Sequence, residues 1–349
     1  LGCEFMLALH VVMLVVGILF ITNFKFRKPK NLTMGAIVVI VAMADGQRQR
    51  RNEMYYMDRE GHRIKKTTSQ DKFLKFVYTH TATRVLMRPL LLPAVSRLGG
   101  KLLNTKVSAV FAGLFARTHG IDLNKYEKQK FDSYNDFFTR KIKAEERPVN
   151  REDNVLISPC DGKVSVYPIH ENGQFFIKHT PYTTHRLIRD AKLARHYMGG
   201  WAVVIRLTVD DYHRYCYVAD GEKTYQRRIP GIFHTVNPIV NDICPIYKMN
   251  SREYCLVKNE KLGTVLMMEV GALMVGKIRN YKKERCQVKR GEEKGRFEFG
   301  GSTVVLLLEP DKVLPDSDLI RNTLQGAETI VKMGERIGGV VCLEKNSSI

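Results

Sequence analysis

The sequence predicts an α+β protein in which a mostly antiparallel β domain follows a helical first third. Short apolar runs separated by Gly, Asn and Asp recur through the second half of the chain, as in strands joined by tight turns. Before them, residues 70–120 repeat apolar side chains at helical spacing. A length of 349 residues with 44% hydrophobic composition allows one large domain with appendages.

The N-terminal extension, residues 1–53, is apolar and then basic. Phe5–Thr22 is almost wholly apolar and just long enough to cross a bilayer, so we predict a transmembrane segment at residues 5–22. A basic cluster follows directly and would hold this end in the cytoplasm; it consists of Lys25, Arg27, Lys28 and Lys30. The chain begins with Leu1, and Met54 or Met57 could serve as a start, so two interpretations of residues 1–53 are open: a fragment of something longer, or a stretch outside the native product.

Residues 54–125 form the second predicted region, with short amphipathic helices of cationic character. Two interpretations are open: the helices lie on a membrane surface, or they cap the core of the β domain. The net charge of +20 is concentrated in the first third, which favours an anionic membrane surface over nucleic acid, since no nucleic-acid motif is present. The docking cations we predict are Lys72, Lys75, Arg84, Arg88, Arg97, Lys101 and Lys106.

Seven cysteines are scattered along the chain with no C-x-x-C pair. This pattern argues against a zinc site and against a disulfide framework, so no metal is predicted. Free thiols are typical of a reducing compartment. With the basic cluster after residue 22, they indicate the cytoplasmic side of the cell membrane.

The third region, residues 126–349, is the predicted β domain. The residue pattern changes at Phe131, after which short apolar runs typical of strands alternate with turns. The predicted strands are Val164–Tyr167, Phe175–Lys178, Trp201–Val209, Arg214–Val218, Thr264–Val270, Ala272–Ile278 and Val304–Leu308. One late helix is predicted over Leu319–Lys332.

The stretch Gly295–Glu309, GRFEFGGSTVVLLLE, organises this domain. A glycine pair interrupts a strand pattern directly before Ser302. One interpretation is a glycine bulge in a buried strand. The other is a self-processing serine, because the glycines leave the Gly301 carbonyl open to attack by the Ser302 hydroxyl.

Three further residues could carry chemistry. Asp161 lies in a turn, and His213 follows a predicted strand, where a histidine can take and return a proton near neutral pH. His234 is a second base candidate. Asp161, His213 and Ser302 are together the components of a relay of acid, base and hydroxyl. A Ser-His-Asp hydrolase is therefore an open alternative, although Val304 breaks the G-x-S-x-G elbow.

Five blocks in order resemble the phosphatidylserine decarboxylase proenzymes of bacterial type: FFTRKIKAEERPV, SPCDGKV, DYHRY, GIFHTVNP and FGGSTVVLL. The resemblance extends from about Tyr55 to Val340. It implies membrane association, self-cleavage between Gly301 and Ser302, and a pyruvoyl cofactor made from Ser302. It also maps the relay onto Asp161, His213 and Ser302. Some members have a second histidine where this chain has Cys216, which keeps His234 open as a base.

Decarboxylation of an α-amino acid needs an electron sink, which a pyruvoyl carbonyl supplies through a Schiff base with the substrate amine. The expected function is therefore conversion of phosphatidylserine to phosphatidylethanolamine. The expected partners are phosphatidylserine, an anionic membrane surface, and the small fragment from Ser302 bound to the large fragment ending at Gly301. A homodimer is compatible with this function. The competing functions are the membrane-anchored hydrolase and a non-enzymatic β-rich module on a membrane surface.

Overall fold

The computed structural model describes residues 55–65, 99–177, 180–232, 246–272, 277–298 and 302–341. The predicted transmembrane segment at residues 5–22 and the rest of residues 1–53 lie outside these ranges, as do His234 and Gly301. Within the described ranges, none of the helices has both the length and the apolar character needed to cross a membrane.

Nineteen strands are described, and most of them form one sheet. Within the described residues that sheet has eleven strands, in the order β14-β9-β11-β12-β16-β7-β4-β18-β1-β2, with β10 beside β11. The described pairings are antiparallel except for β1 with β18, which confirms the predicted antiparallel β domain. The strands are β1 (Tyr55–Met57), β2 (Arg63–Lys65), β3 (Val155–Ile157), β4 (Gly162–Pro168), β5 (Gln174–Ile177), β6 (Thr180–Thr183), β7 (Trp201–Leu207), β8 (Arg214–Cys216), β9 (Gly221–Lys223), β10 (Arg227–Ile229), β11 (Arg252–Asn259), β12 (Gly263–Gly271), β13 (Lys277–Asn280), β14 (Cys286–Val288), β15 (Glu293–Glu298), β16 (Ser302–Leu308), β17 (Val313–Pro315), β18 (Ala327–Val331) and β19 (Arg336–Val340).

The helices are short and lie around the sheets. They are α1 (Val110–Thr118), α2 (Tyr134–Phe138), α3 (Thr184–Ile188), α4 (Ala191–Arg195), α5 (Ile246–Met249) and α6 (Ser317–Leu324), with 3-10 turns at Lys106–Ala109, Leu123–Lys125 and Ala144–Glu146. The region predicted to be helical, residues 54–125, begins instead with β1 and β2. Tyr56 is 5% exposed and accepts a hydrogen bond from Arg206, so its burial against the main sheet outweighs the local pattern.

The late helix predicted over Leu319–Lys332 is too long. Helix α6 ends at Leu324, and Gly326 adopts φ +75°, a left-handed conformation that glycine accepts more readily than other residues. The following residues include Thr329 and Val331, whose branched side chains suit β18. A strand therefore occupies the second half of the predicted helix.

The core lies on both faces of the main sheet. On one face a cluster built around Val304, Leu306 and Ile205 is completely buried. On the other face Val305 and Leu307 pack with a cluster that includes side chains from α3 and α4. Because both faces of β16 are buried, its sequence is a continuous apolar run rather than an alternating one.

A second sheet, β13-β15-β8, is joined to the main sheet by a buried ion pair. Lys294 Nζ on β15 lies 2.8 Å from Glu269 Oε1 on β12, and both side chains are fully buried. Asn280 on β13 accepts from Lys294 and donates to Glu269. A buried pair retained with its remaining hydrogen bonds satisfied fixes the geometry between elements. Here it fixes β15, the strand that leads to Ser302.

Candidate active site

Ser302 is the first residue of β16 and lies between two neighbouring strands. It faces Leu207, the last residue of β7, on one side and Gly271, the last residue of β12, on the other. The side chain is 1% exposed, and Oγ has no hydrogen-bond partner within the described residues. A buried hydroxyl without a partner is costly, and a role in chemistry is one physical reason for leaving it unpaired.

His213 lies six residues beyond Leu207, directly before β8, and is 1% exposed. Its Nδ1 is 2.9 Å from the backbone carbonyl oxygen of Asp211. A carbonyl oxygen only accepts, so we assign the proton of the neutral ring to Nδ1. The lone pair is then on Nε2, which is buried and has no partner among the described residues. That nitrogen can accept a proton.

The surroundings of His213 keep its ring neutral. Burial lowers its pKa from 6.5 to about 4, and the positive charge of Arg140 acts in the same direction, against the opposing effects of Asp211 and Asp210. The ring packs on Phe138, with centroids 4.0 Å apart. A neutral imidazole with a free Nε2 is the form that serves as a general base.

The backbone connects His213 with the strand that leads to Ser302. The amide of Phe297 on β15 donates to the carbonyl of His213 at 2.9 Å. Arg214, the next residue, pairs with Arg296. Ser302 follows Phe297 by five residues, and Gly301 lies outside the described chain. The pairing of β8 with β15 thus holds the histidine beside the segment that enters the serine strand.

Asp161 lies at the same end of the main sheet, directly before β4. Lys163 faces Arg206 across β4 and β7, so the end of β4 is next to the end of β7, which in turn is next to Ser302. Two strand spacings place Asp161 roughly 10 Å from Ser302 along the sheet edge. The structure therefore places Ser302, His213 and Asp161 at the same end of the main sheet.

The Asp161 carboxylate, however, has other partners than His213. Arg147 holds it with two bonds, Nε to Oδ1 at 2.8 Å and Nη2 to Oδ2 at 2.5 Å, and the amide of Met333 donates to Oδ1 at 2.9 Å. Within the described hydrogen bonds, none joins Asp161 to the ring. The expected relay is thus not assembled through Asp161, since the backbone of Asp211 orients the histidine instead.

Cys216 lies three residues after His213, at the position where the family resemblance led us to consider a second histidine. It is fully buried, its amide donates to the carbonyl of Pro159 at 2.8 Å, and burial raises the pKa of its thiol to about 12. A thiol with that pKa stays protonated at neutral pH. Cys216 therefore does not replace a histidine as base.

His234 lies outside the described residues, but the residues on either side of its segment are described. Ile232 and Asn250 form an isolated bridge, and the Asn250 amide group donates to the carbonyl of Gly271 at 2.8 Å. Gly271 faces Ser302. The described residue Asn250 is thus attached to the strand next to the serine.

One group of side chains could offer ligands to a metal ion. Asp58, Glu60 and His62 have ligand atoms within 4.8 Å of one another, near the surface. His62 already bonds Asp58 with both its amide and its Nδ1. Surface groups of this kind are common without an ion, and this one is not part of the site at the end of the sheet.

Comparison with known proteins shows the family of this chain. The family model described as phosphatidylserine decarboxylase matches residues 134–339. The chain belongs to the phosphatidylserine decarboxylase family. It is accordingly an enzyme, a decarboxylase that is made as a zymogen and acts in phospholipid biosynthesis.

Three relatives of this family show how much of the chain the similarity covers. A phosphatidylserine decarboxylase proenzyme 2 of Clostridium acetobutylicum is 41% identical over 266 residues, 76% of this chain and 91% of the relative. The proenzyme of Fusobacterium nucleatum is 39% identical over 236 residues, 66% and 77% of the two chains. That of Clostridium perfringens is 38% identical over 247 residues, 70% and 84%. The similarity thus spans most of each relative.

Sequence reasoning missed four residues that build this decarboxylase site. Arg147, Lys163 and Asp211 all lie inside or next to the motifs quoted above, but they received no role; Phe138, which packs on the histidine ring, is the fourth. The charges of these residues were the available signal, because a Lys and an Arg that lie near turns rich in Asp can pair with the Asp carboxylates. Which cation meets which carboxylate depends on strand order, which the motifs do not contain.

Proposed function

We propose that the chain cleaves itself between Gly301 and Ser302, converts Ser302 into a pyruvoyl group, and then decarboxylates phosphatidylserine to phosphatidylethanolamine and CO2. One observation carries the proposal: the Ser302 hydroxyl is buried at the start of β16 and has no hydrogen-bond partner among the described residues. Most buried hydroxyls bond a neighbour, and one without a partner keeps its oxygen available for reaction. The relatives' description as proenzymes supports the same reaction.

The cleavage step uses groups of this chain only. Oγ of Ser302 attacks the carbonyl carbon of Gly301 while Nε2 of His213 takes the hydroxyl proton. The peptide C–N bond breaks, the proton passes to the amine, and an ester joins the two residues. Loss of the Ser302 α-proton then expels the Gly301 carboxylate. The remaining dehydroalanine takes up water and loses ammonia, which leaves the pyruvoyl group.

In the second reaction, the pyruvoyl carbonyl supplies the electron sink that decarboxylation requires. We assign to His213 the transfer of protons at Nε2, because its ring is neutral and held by the Asp211 carbonyl and by Phe138. We assign to Asp161 the positioning of Arg147 and of the backbone at Met333. The hydrolase alternative needs the Asp161 carboxylate on the histidine ring, and both groups have other partners.

We also propose that the chain works at the cytoplasmic side of the cell membrane. The described part of the N-terminal helices supports a membrane-facing surface. The inner side of α1 packs Phe115 into an aromatic cluster with Phe137, so this side caps the core. The outer side of α1 and the preceding 3-10 turn leave apolar side chains in solvent: Val110 on the helix and Val107 on the turn are each 77% exposed. A helix that only caps a core has a polar outer side. Exposed cations flank the apolar residues here, as an anionic lipid surface requires; they are Lys101, Lys106 and Arg117.

Intact mass and a denaturing gel test the self-cleavage. We expect two fragments, the smaller starting at residue 302 and lighter by one ammonia than a fragment starting with serine. Ser302→Ala should leave one uncut chain, and Ser165→Ala, which removes a buried hydroxyl from β4, should cleave normally. Release of the small fragment from Ser302→Ala would contradict the mechanism.

A further inference from the structure

Lys163 on β4 is a nearly buried cation directed at the turn before His213. Its side chain is 8% exposed. Nζ lies 2.8 Å from Oδ1 and 2.6 Å from Oδ2 of Asp211, and 2.6 Å from Oγ1 of Thr208. A lysine ammonium is a strongly hydrated point charge, so removal from water requires such compensation. The lysine thus crosslinks β4 to residues 208–211.

The Asp211 carboxylate closes that turn as well as binding the lysine. It accepts from the amide of Thr208 at 2.6 Å, and the Asp211 amide donates back to the Thr208 carbonyl at 2.9 Å. The conformation of the turn therefore depends on a carboxylate whose described cationic partner is Lys163. Without that cation, a charge 16% exposed would have to find water or rearrange.

The backbone carbonyl of the same residue, Asp211, accepts from His213 Nδ1. Arg140 Nη2 also donates to it, at 3.4 Å. The side chain of Asp211 is thus fixed by Lys163 while its carbonyl fixes the ring. A shift of the turn would move the acceptor away from Nδ1 and remove the preference for the proton on that nitrogen.

We propose that Lys163 is a positioning residue for self-cleavage: by holding the Asp211 carboxylate it fixes the backbone carbonyl that selects the Nδ1–H tautomer of His213. This inference rests on the proposed role of His213 as base. Lys163 does not touch the reacting atoms. It acts through the turn, and its loss should leave Nε2 protonated in part of the molecules, a form that cannot accept the Ser302 proton.

The test is the half-time of self-cleavage after synthesis of the full chain. Lys163→Met should slow it by about ten- to a hundredfold, the range expected when a reacting group is misplaced. Lys163→Arg keeps the charge and the donors and should stay near the original rate. Arg59→Met is the matched control, since it also removes a partly buried cation with two carboxylate partners, Asp316 and Asp318, and none of its described hydrogen bonds goes to residues 208–213.

A second readout separates positioning from general destabilisation. In the uncut Ser302→Ala chain, the ¹⁵N shifts of His213, assigned by their loss in His213→Gln, should report Nδ1–H. Adding Lys163→Met should give a mixture of tautomers, and adding Arg59→Met should not. The inference would be overturned if Lys163→Met cleaved at the rate of the unsubstituted chain, or if it cleaved more slowly while His213 kept the Nδ1–H tautomer. Normal cleavage in His213→Ala would instead refute the proposed base, so the two failures are distinct.

Discussion

The guanidinium of Arg147 donates two hydrogen bonds to the carboxylate of Asp161, at 2.8 and 2.5 Å. The pair has little contact with solvent, with side chains 14% and 10% exposed. It joins the turn before β4 to the segment after the 3-10 turn Ala144–Glu146. The carboxylate that sequence alone assigned to the histidine therefore serves to fix the backbone at this end of the sheet.

The first prediction concerns this pair. Arg147→Met and Asp161→Asn should destabilise the uncut Ser302→Ala chain by similar amounts, on the order of 2 kcal/mol each, because each leaves a largely buried partner unpaired. The double variant should cost less than the sum of the two, since the residues contact each other. With Ser302 present, both single variants should slow cleavage to a similar degree.

Thermal unfolding and the cleavage half-time measure these effects. Lys128→Met is the control, because its pairs with Asp132 and Asp136 are exposed and should contribute little. A much slower cleavage in Asp161→Asn than in Arg147→Met would indicate that Asp161 acts directly on His213.

The second prediction is a pH dependence set by His213. The pKa of His213 is about 4 in the folded chain, whereas its ordinary value, which applies to the unfolded chain, is 6.5. As the pH falls, the imidazole therefore becomes protonated in the unfolded chain before it does so in the folded chain. Stability is therefore complete above pH 6.5 and decreases toward pH 4. The loss from this group is about 3 kcal/mol, at 1.36 kcal/mol per pKa unit. Cleavage should keep its rate well below pH 6.5, because the base stays neutral.

Unfolding of the Ser302→Ala chain between pH 7.5 and 4 tests this dependence against the same chain with His213→Gln. The glutamine variant should lose less stability over that range. The charged groups around the ring, Asp210, Asp211 and Arg140, are the same in both chains, so the difference isolates the histidine. Equal pH dependence in both would show that the ring is charged or accessible in the folded state.

Much of the fold was predictable because its signals are local. The apolar run of β16 and the strand Trp201–Leu207 before the histidine were both predicted from the sequence, and the antiparallel class followed. Strand β11 was not predicted, and β15 was predicted only in part, as the strand pattern that begins at Gly295. Charged side chains interrupt both, including Arg252 and Lys294, and only the tertiary structure supplies their partners.

The site was predictable as a set of residues but not as a set of contacts. Ser302, His213 and Asp161 do converge at one end of the sheet, because β16, β7 and β4 are neighbours. Motifs along a chain do not specify that Arg147 reaches Asp161 first or that a backbone carbonyl holds the ring. Backbone acceptors leave no signature in the side-chain sequence, so the assignment of the histidine's partner required coordinates.

The last prediction concerns the outer side of α1, in a chain that starts at Met54 so that residues 5–22 cannot bind lipid themselves. Val110→Glu with Leu114→Glu should weaken binding to vesicles containing phosphatidylserine, because both side chains are exposed and apolar and would otherwise enter the lipid. Lys106→Glu should weaken binding to anionic vesicles only, and salt should reduce its effect, since the Debye length is about 3 Å at 1 M. Leu324→Glu is the matched control: Leu324 is 82% exposed on α6, at the surface but outside the cationic helix region. Self-cleavage should proceed in all of these chains, because Ser302 attacks its own backbone and needs no lipid. If the α1 and α6 variants bind vesicles equally, the exposed residues of α1 do not contact lipid, and another surface must present the enzyme to its substrate.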